Sequence, residues 1–224
     1  MQFDSNHLYH IYSQGNNRQK VFIERENYLF FLRKIHSYIL PFADILAWCL
    51  MPNHFHLMVH VNHVEVEYTP SATQSRARSS LDVIKDIPSP TASSALSSLD
   101  KAERMSFNKS IGIMLASYTR AINKQQNWSG SLFRSETKAV CLTEINVISP
   151  GWIINSGITE FTPDDPEIEY PNICFNYILY NPVKDGLVGR PEDWEFSSYS
   201  DFLGIRKGNL INMNRIKEFG LRIL

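Results

Sequence analysis

Two apolar segments meet at a short polar connection in the stretch Trp48-Cys49-Leu50-Met51-Pro52-Asn53-His54-Phe55-His56-Leu57. The segments 43–50 and 54–61 are both rich in the aliphatic and aromatic residues that favour β-strands. The connection between them is short and contains proline and asparagine, which suit a tight turn. The stretch therefore predicts a β-hairpin.

The paired histidines of this hairpin are the first candidates for a functional site. Because side chains alternate across a strand, His54 and His56 project from one face while Phe55 points from the other face into a core. Two imidazoles on one rigid strand suit a divalent cation, since neutral imidazole nitrogen is a common metal ligand. Strand histidines that hydrogen-bond to their neighbours would give the same pattern, so this segment alone leaves both interpretations open.

Working outward from the hairpin, the hydrophobic periodicity predicts a fold of class α+β. Residues 7–13 alternate as a strand, 24–40 and 106–125 repeat apolar residues at helical spacing, and 138–142 form a further strand candidate. The order strand, helix, strand, strand, helix, strand is that of a ferredoxin-like antiparallel sheet with helices on one face. The paired histidines then lie on the open face, outside the core.

A second polar pair occurs in Asn176-Tyr177-Ile178-Leu179-Tyr180-Asn181-Pro182-Val183-Lys184-Asp185-Gly186-Leu187-Val188. The part before Pro182 is apolar and aromatic enough for an extra C-terminal helix, and the proline predicts that this helix stops at Asn181. Tyr177 and Asn181 are then one turn apart and offer a phenol and an amide oxygen to the same neighbour. A core aromatic and a helix C-cap would also explain the pair.

Taken together, these blocks resemble the single-tyrosine HUH transposases, in particular the REP-associated tyrosine transposase branch. The resemblance runs in the family's order over about residues 7–200, interrupted by two unmatched stretches. Besides the two blocks above it rests on Tyr9-His10-Ile11-Tyr12-Ser13-Gln14-Gly15-Asn16-Asn17-Arg18, Ser117-Tyr118-Thr119-Arg120, Gly130-Ser131-Leu132-Phe133 and Trp194-Glu195-Phe196-Ser197-Ser198-Tyr199.

The resemblance implies a transposase that cleaves DNA with a tyrosine nucleophile. Tyr177 would attack a phosphodiester of hairpin-bearing single-stranded DNA to leave a 5′-phosphotyrosine link and a free 3′ hydroxyl. Mg²⁺ or Mn²⁺ would be held by His54, His56 and Asn181. In such transposases the tyrosine helix serves either its own subunit or that of a partner in a homodimer.

Other side chains are candidates for the same roles. Tyr118 lies on the apolar stripe of its predicted helix and is better explained by core packing, and Tyr180 is a second, weaker candidate for the nucleophile. Four basic residues are candidate phosphate contacts, although ordinary surface charge is the commoner explanation of each. They are Arg18, Lys20, Arg120 and Arg134. Gln14 stands where the family often has arginine, which puts one DNA contact of the family in doubt. Leu179 replaces a commonly seen histidine, so any role of that histidine is absent here.

Composition bounds the function classes. The chain has 224 residues, is 43% hydrophobic and carries a net charge of -1, which allows one good core and gives no overall sign of a nucleic-acid partner. Residues 101–140 nevertheless carry seven Lys or Arg against two Asp or Glu, whereas 141–176 carry none against six. Three widely spaced cysteines in apolar surroundings suggest buried thiols of a cytoplasmic protein, and no apolar run is long enough to span a membrane.

The domain organisation predicted is one HUH transposase-like domain over 1–200 followed by a C-terminal tail over 201–224. Residues 65–100 are rich in Ser, Thr, Ala and Pro and predict a mobile insertion. Residues 144–171 form an acidic connection before the Tyr177 helix, either as a long leash that lets the helix reach a partner subunit or as a passive loop.

Three functions compete at this stage. The first is the metal-dependent strand transferase just described, and the second is a catalytically inactive or domesticated relative that only binds hairpin or single-stranded DNA. The third is a metal-dependent hydrolase that activates water. It is disfavoured because no Asp or Glu is expected near either motif to complete a hydrolytic site or act as a base.

Overall fold

The computed structural model describes residues 1–68, 103–143 and 166–224. Its helices and strands follow the predicted order, with ends that differ from the predictions by one or two residues in the sheet domain. The strands are β1 (Leu8–Gln14), β2 (Ala43–Met51), β3 (His54–Val61), β4 (Glu65–Tyr68), β5 (Glu103–Ser106) and β6 (Lys138–Cys141). The α-helices are α1 (Arg25–Tyr38), α2 (Phe107–Gln126), α3 (Pro166–Lys184), α4 (Tyr199–Phe202) and α5 (Met213–Glu218).

The central sheet has the strand order β2-β3-β1-β6, and every neighbouring pair in it is antiparallel. This is the order of a ferredoxin-like sheet, so the predicted α+β class is confirmed. Strands β2 and β3 are joined by a two-residue turn at Pro52 and Asn53, which confirms the predicted hairpin. In the register of β1 on β3, Tyr12 lies opposite His56 and Gln14 lies opposite His54.

Helices α1 and α2 cover one face of the sheet and bury an aromatic core. A capping box between Glu24 and Asn27 starts α1, and the Ser106 side chain accepts a hydrogen bond from the Lys109 backbone at the start of α2. Phe55 is fully buried in this core, as its position between the two histidines predicts. Tyr118 is also fully buried here, and its hydroxyl donates to the Val21 carbonyl at 2.8 Å.

Helix α3 covers the opposite face of the sheet, the face that carries His54 and His56, and buries a second apolar core there. Cys174, Phe175, Ile178 and Leu179 of this helix are at most 1% exposed. The expectation that the histidines lie on an open face outside the core is therefore wrong for His56, which is 4% exposed beneath the helix.

The prediction that α3 stops at Asn181 is also wrong, because the helix continues through Pro182 to Lys184. A proline this close to the helix end breaks few backbone hydrogen bonds, and the Asp185 amide still donates to the Asn181 carbonyl at 3.0 Å. The helix ends instead at Gly186, whose φ of 71° suits glycine. The Gly186 and Leu187 amides donate back to Val183 and Pro182, which is a Schellman arrangement.

Residues 201–224, set apart by the sequence as a tail, pack against the sheet and α3. The Asn212 amide donates to the Ile45 carbonyl at the outer edge of β2, and Ile216 is buried in the second core. The backbone amide of Arg222 donates to the Asn172 side chain on α3. This segment therefore helps to fix α3 in place.

Two predicted segments fall mainly outside the described residues. The insertion predicted over 65–100 begins as strand β4, which pairs with β5, and 69–102 lie outside the described ranges. The acidic connection predicted over 144–171 ends earlier, because α3 begins at Pro166, and 144–165 are likewise outside.

The three cysteines lie in apolar surroundings, and the helices can be compared with the length needed to span a membrane. Cys49, Cys141 and Cys174 are free and buried, as their apolar surroundings predict. Within the described parts of the chain, no helix combines the length and the apolar character needed to cross a bilayer.

Candidate active site

The paired histidines stand side by side on β3 under the C-terminal half of α3. The His54 and His56 rings have centroids 4.8 Å apart and are almost perpendicular, at 86°. Both face α3, whereas Phe55 between them faces the aromatic core on the other side of the sheet. The side chains of β3 therefore alternate between the two faces of the sheet, as the sequence predicts.

Helix α3 brings Tyr177 and Asn181 to these histidines within the same chain. The Tyr177 ring centroid lies 5.3 Å from that of His56, and Asn181 Oδ1 lies 3.3 Å from His54 Nε2. A hydrogen bond from the Asn181 side chain lowers the pKa of Tyr177, which means that the amide donates to the phenol oxygen. Asn181 thus links the phenol to the histidine pair.

The other two tyrosines considered above point elsewhere. Tyr180 is turned toward Tyr199, with ring centroids 5.7 Å apart and a hydrogen bond between the two side chains that raises the pKa of Tyr199. Tyr118 lies in the core under α1 and α2. Of these three phenols, Tyr177 is the one beside the histidines.

Burial keeps the imidazoles neutral, and therefore free to offer lone pairs. Desolvation lowers the pKa of His10 to about 3 and that of His56 well below its usual value. Burial also lowers the pKa of His54, although the Asp185 carboxylate and the hydrogen bond that a protonated His54 would donate to Asn181 oppose this shift. At neutral pH each ring therefore carries one proton and one lone pair.

The proton positions follow from the partners of each nitrogen. Neutral His54 has one proton and faces two amide oxygens that can only accept, and its shorter contact, 2.6 Å from Nδ1 to Asn53 Oδ1, favours the proton on Nδ1. Its Nε2 lone pair then faces Asn181 Oδ1, and two electron-rich atoms meet at 3.3 Å. His56 Nε2 is buried and has no hydrogen-bond partner among the described residues.

These atoms fit a divalent cation. Two imidazole nitrogens and one amide oxygen form a donor set of intermediate hardness that accepts Mn²⁺ or Mg²⁺. A cation would supply a partner for the buried His56 Nε2 and would lie between the lone pairs of His54 Nε2 and Asn181 Oδ1. Among the residues that the structure describes, no group of three His, Cys, Asp or Glu side chains is arranged to hold a metal ion. Any such site here depends on Asn181 as the third ligand.

The Tyr177 phenol is not activated by its surroundings alone. Burial raises its pKa above the ordinary value, and the Asp185 carboxylate raises it further, while Asn181 offsets only part of the shift. Lys184 lies two helical turns beyond Tyr177 on the same face of α3, and its Nζ is 5.4 Å from the Tyr177 ring centroid. The phenol therefore keeps its proton at neutral pH.

A cleft of about 550 Å³ opens over this group of side chains, and its rim carries both signs of charge. Two of the four predicted phosphate contacts, Arg18 and Arg134, line it, together with Lys138 and Lys184. Lys20 and Arg120 do not line it; Arg120 borders a separate groove between α2 and β6 that also touches Arg134. Gln14 lies at the cleft as well.

Two carboxylates also line this cleft, namely Glu136 and Asp185. The expectation that no acid stands near the motifs is therefore wrong. Glu136 is paired with Lys138 at 2.7 Å, while Asp185 lies near enough to His54 to act on its pKa. The sequence misses both because Glu136 lies in the loop before β6, far along the chain, and Asp185 follows a helix predicted to end too early.

His10 is a buried member of the site that sequence reasoning does not assign to it. It lies on β1, is fully buried, and its Nε2 is 2.8 Å from His56 Nδ1. Its alternation with Tyr12 and Gln14 places it on one face of β1, but only the register of β1 on β3 shows that this is the face of His56. His60 shares the face of His54 and His56 but lies against Phe219 instead, with ring centroids 5.3 Å apart.

No protein-family model matches the chain, and no curated protein does. A solved structure described as a REP-associated tyrosine transposase bound to a REP hairpin aligns with a TM-score of 0.48 and 13% identity, over 100% of this chain and 96% of that chain. At this level of similarity the family of the chain stays open.

Proposed function

We propose that the protein cleaves single-stranded DNA and transfers the strand through a 5′-phosphotyrosine link, acting at hairpin-bearing DNA. Tyr177 is the nucleophile, and His54, His56 and Asn181 hold Mg²⁺ or Mn²⁺. The observation that carries the proposal is the meeting of a phenol, an amide and two neutral imidazoles in one cleft of a single chain. The ordered resemblance of the sequence blocks to tyrosine transposases supports DNA as the substrate.

Asn181, a bound cation and Tyr177 have separate roles in the cleavage step. Asn181 donates its amide to the Tyr177 oxygen and so keeps the phenol aimed into the cleft. A divalent ion bound beside it would supply positive charge that polarises the scissile phosphate. The bond from the Tyr177 oxygen to phosphorus forms as the bond to the 3′ oxygen breaks, and the proton lost by the phenol balances the one gained by the new 3′ hydroxyl.

Strand transfer is the reverse of the same step. The 3′ hydroxyl of another strand attacks the phosphotyrosine, which restores the phenol, and the phosphodiester energy is kept throughout. The Tyr177 phenol, which holds its proton at rest, is a poor nucleophile until substrate is in place. No nucleoside triphosphate is required.

The rim of the cleft suits a phosphate backbone. Arg18, Arg134 and Lys184 bring three cationic side chains to its lining, and Lys138 adds a fourth that is paired with Glu136. Such contacts neutralise phosphates, so binding should weaken steeply as salt rises. Single-stranded flanks should bind better than blunt duplex, because unstacked bases and a flexible backbone can enter the cleft.

The decisive experiment detects the covalent link. The protein is incubated with Mn²⁺ and a panel of hairpin oligonucleotides with single-stranded flanks, labelled at the 3′ end because the fragment 3′ of the break stays attached. The label should migrate with the protein in denaturing electrophoresis. Tyr177→Phe, which removes one oxygen, should abolish the adduct while hairpin binding is retained.

Tyr180→Phe is the matched control, since it removes the same atom from the same helix beside Tyr199 and should leave the adduct intact. An adduct that persists in Tyr177→Phe would contradict the assignment of the nucleophile. Cleavage without any adduct would favour water activation, with Asp185 as a candidate base. Salt-sensitive hairpin binding with neither cleavage nor adduct across the panel would favour the non-cutting DNA-binding protein.

A further inference from the structure

A groove of about 810 Å³ runs between α2 and β6, the edge strand of the central sheet. One wall is a single face of α2 that extends from Asn108 to Arg120, and the other wall is drawn from residues 131–139. At 1.5 Å of rise per residue, the helical wall is about 18 Å long. The groove is therefore long enough for an extended chain of a few units.

This groove meets the cleft of the candidate active site at the edge of the sheet. Arg134, Glu136 and Lys138 line both of them. Because neighbouring residues of β6 point to opposite faces of the sheet, Lys138 borders the cleft and Ala139 packs against the aromatic core under α2. A chain that leaves the cleft over β6 would therefore pass directly into the groove.

The groove carries an excess of positive charge. Its cations are Arg120, Arg134 and Lys138. Among its described lining residues the one carboxylate is Glu136, which is already paired with Lys138 at 2.7 Å. Within the described ranges, no carboxylate forms an ion pair with Arg120 or Arg134. Burial lowers the pKa of Lys34 on α1, and the charge of Arg120 lowers it further, so Arg120 stands near another cation. Two uncompensated guanidinium groups suit a chain of phosphates.

Between these cations, the helical wall offers room and apolar surface. Gly112 is within α2 without a positive φ, and a methyl group there would meet no other element of the structure within 4 Å. Glycine weakens a helix relative to alanine, and neither the backbone nor the packing requires it at this position. Together with exposed Ala116 and half-buried Leu115, it leaves a shallow apolar floor against which bases can lie.

We propose that the groove between α2 and β6 holds a single-stranded flank of the DNA hairpin whose scissile phosphate lies in the cleft, with Arg120 and Arg134 against backbone phosphates. The inference rests on the proposed function for its substrate, but it requires DNA binding and not cleavage. Continuity with the cleft makes the occupant part of the same strand, and the excess of positive charge matches its phosphates.

Hairpin binding tests the groove. Fluorescence anisotropy over a range of salt concentrations compares a hairpin that has single-stranded flanks with the same hairpin trimmed flush. Arg120→Ala should weaken binding of the flanked hairpin about 3- to 10-fold and reduce the slope of log affinity against log salt by about 0.7, the value for one single-strand phosphate. The trimmed hairpin should bind as before. Lys124→Ala is the matched control, because it removes a cation one turn further along α2 that does not line the groove, and it should change neither affinity.

Substitutions at Gly112 separate a blocked groove from a damaged fold. Gly112→Glu places a long carboxylate over the floor and should weaken binding of the flanked hairpin about 10-fold or more, with a much smaller effect on the trimmed one. Gly112→Ala adds a methyl group in open space and favours the helix, so it should bind like the unmutated protein and melt no lower.

A cross-link identifies the occupant. The three native cysteines are buried, so a cysteine introduced by Ala116→Cys, at an exposed position of the groove, can be labelled selectively with a photoreactive maleimide. It should cross-link to the single-stranded flank. The same group on His36→Cys, exposed on α1 beside another cavity, should not.

The outcomes separate this inference from the proposed cleavage. Equal affinity of Arg120→Ala, Gly112→Glu and the unmutated protein for the flanked hairpin would overturn the inference, even where a Tyr177 adduct forms and the proposed function stands. Loss of flank binding in both variants, without an adduct from the unmutated protein, would support the groove and reject strand cleavage. A dimer in sedimentation that Gly112→Glu dissociates would assign the groove to a second copy of the chain and would also overturn the inference.

Discussion

The two ends of the sheet face under α3 carry similar histidines in different surroundings. His54, His56 and His60 are on one strand with the same parity, and His56 and His60 are each 4% exposed. At the packed end, defined by His60, the Asn62 side chain meets Nδ1 at 3.0 Å and Phe219 covers the ring. At the cleft end, defined by His10, His54 and His56, His56 Nε2 has no partner among the described residues.

The difference teaches that parity and burial do not assign a histidine its role. A buried polar group normally finds its hydrogen bonds inside the protein, as His60 does with Asn62. A buried imidazole nitrogen left without a partner, beside a facing amide oxygen, indicates a place kept for something from outside the chain. Substitutions at the cleft end should therefore mainly lower activity, and substitutions at the packed end should mainly lower the free energy of unfolding.

The largest expected effect is on cleavage. His56→Ala should lower the rate of adduct formation by about 10³-fold or more, because loss of metal-assisted charge stabilisation is worth several kcal/mol, or about 4 kcal/mol for that factor. His60→Ala should leave the rate within about threefold, because its ring faces Phe219 and not the cleft. The rates are measured with the 3′-labelled hairpin under single-turnover conditions.

Thermal unfolding of the same two variants supplies the control. His60→Ala should lower the free energy of unfolding by about 1–3 kcal/mol, since it removes a buried ring and leaves the Asn62 side chain without its partner. If His56→Ala instead loses activity only because it unfolds, the two ends do not differ and both histidines are structural.

An intermediate effect is expected on acid stability. The folded pKa of His10 is about 3 and that of His56 is also depressed by burial, whereas the unfolded values are about 6.5. The unfolded chain therefore binds more protons below pH 6.5, and stability present above this pH is lost as pH falls. The metal-free protein should lose about 1 kcal/mol between pH 6.5 and 5.5 from His10 alone, and the lowered pKa of His56 adds a loss in the same direction.

Urea unfolding at a series of pH values measures this loss, and His10→Gln is the comparison. The variant cannot titrate at position 10, so its loss over the same interval should be smaller by about 1 kcal/mol. Carboxylates that titrate at lower pH are common to both proteins. Identical curves for the two would show that the burial of His10 is not maintained in solution.

The smallest effect concerns the cleft rim. Arg18→Ala should weaken hairpin binding a few-fold and reduce the slope of log affinity against log salt by about 1, because Arg18 lines the cleft. Lys20→Ala removes a like charge two residues away that does not line it, and should change the slope little. Fluorescence anisotropy over a range of salt concentrations measures both, and equal slopes would place the DNA elsewhere.

The sequence predicts most of the sheet because its signals are local. Alternation places Phe55 in one core and the paired histidines toward the other face, and the i, i+4 spacing of Tyr177 and Asn181 gives them a common face on α3. Each of these inferences needs only a few neighbouring residues. They are also the inferences that define the centre of the candidate site.

The remaining parts of the site depend on contacts between distant residues. His10 joins His56 through the register of β1 on β3, and Glu136 reaches the cleft from the loop before β6, which no local pattern specifies. The end of α3 was mispredicted for another reason: Pro182 is tolerated in the last turn, and Gly186, with its positive φ, was the better signal. Burial of the cleft histidines likewise depends on α3 lying over the sheet.

The labelling of two buried cysteines depends on whether α3 lies on the sheet. Cys174 belongs to α3 and Cys49 lies beneath it on β2, and burial raises the pKa of both thiols, so neither reacts with a water-soluble thiol reagent while the helix is seated. Labelling therefore has to wait for the helix to lift from the sheet. The same lifting would carry Tyr177 away from the histidines, so the rate of thiol labelling in the native protein reports how often Tyr177 leaves the cleft.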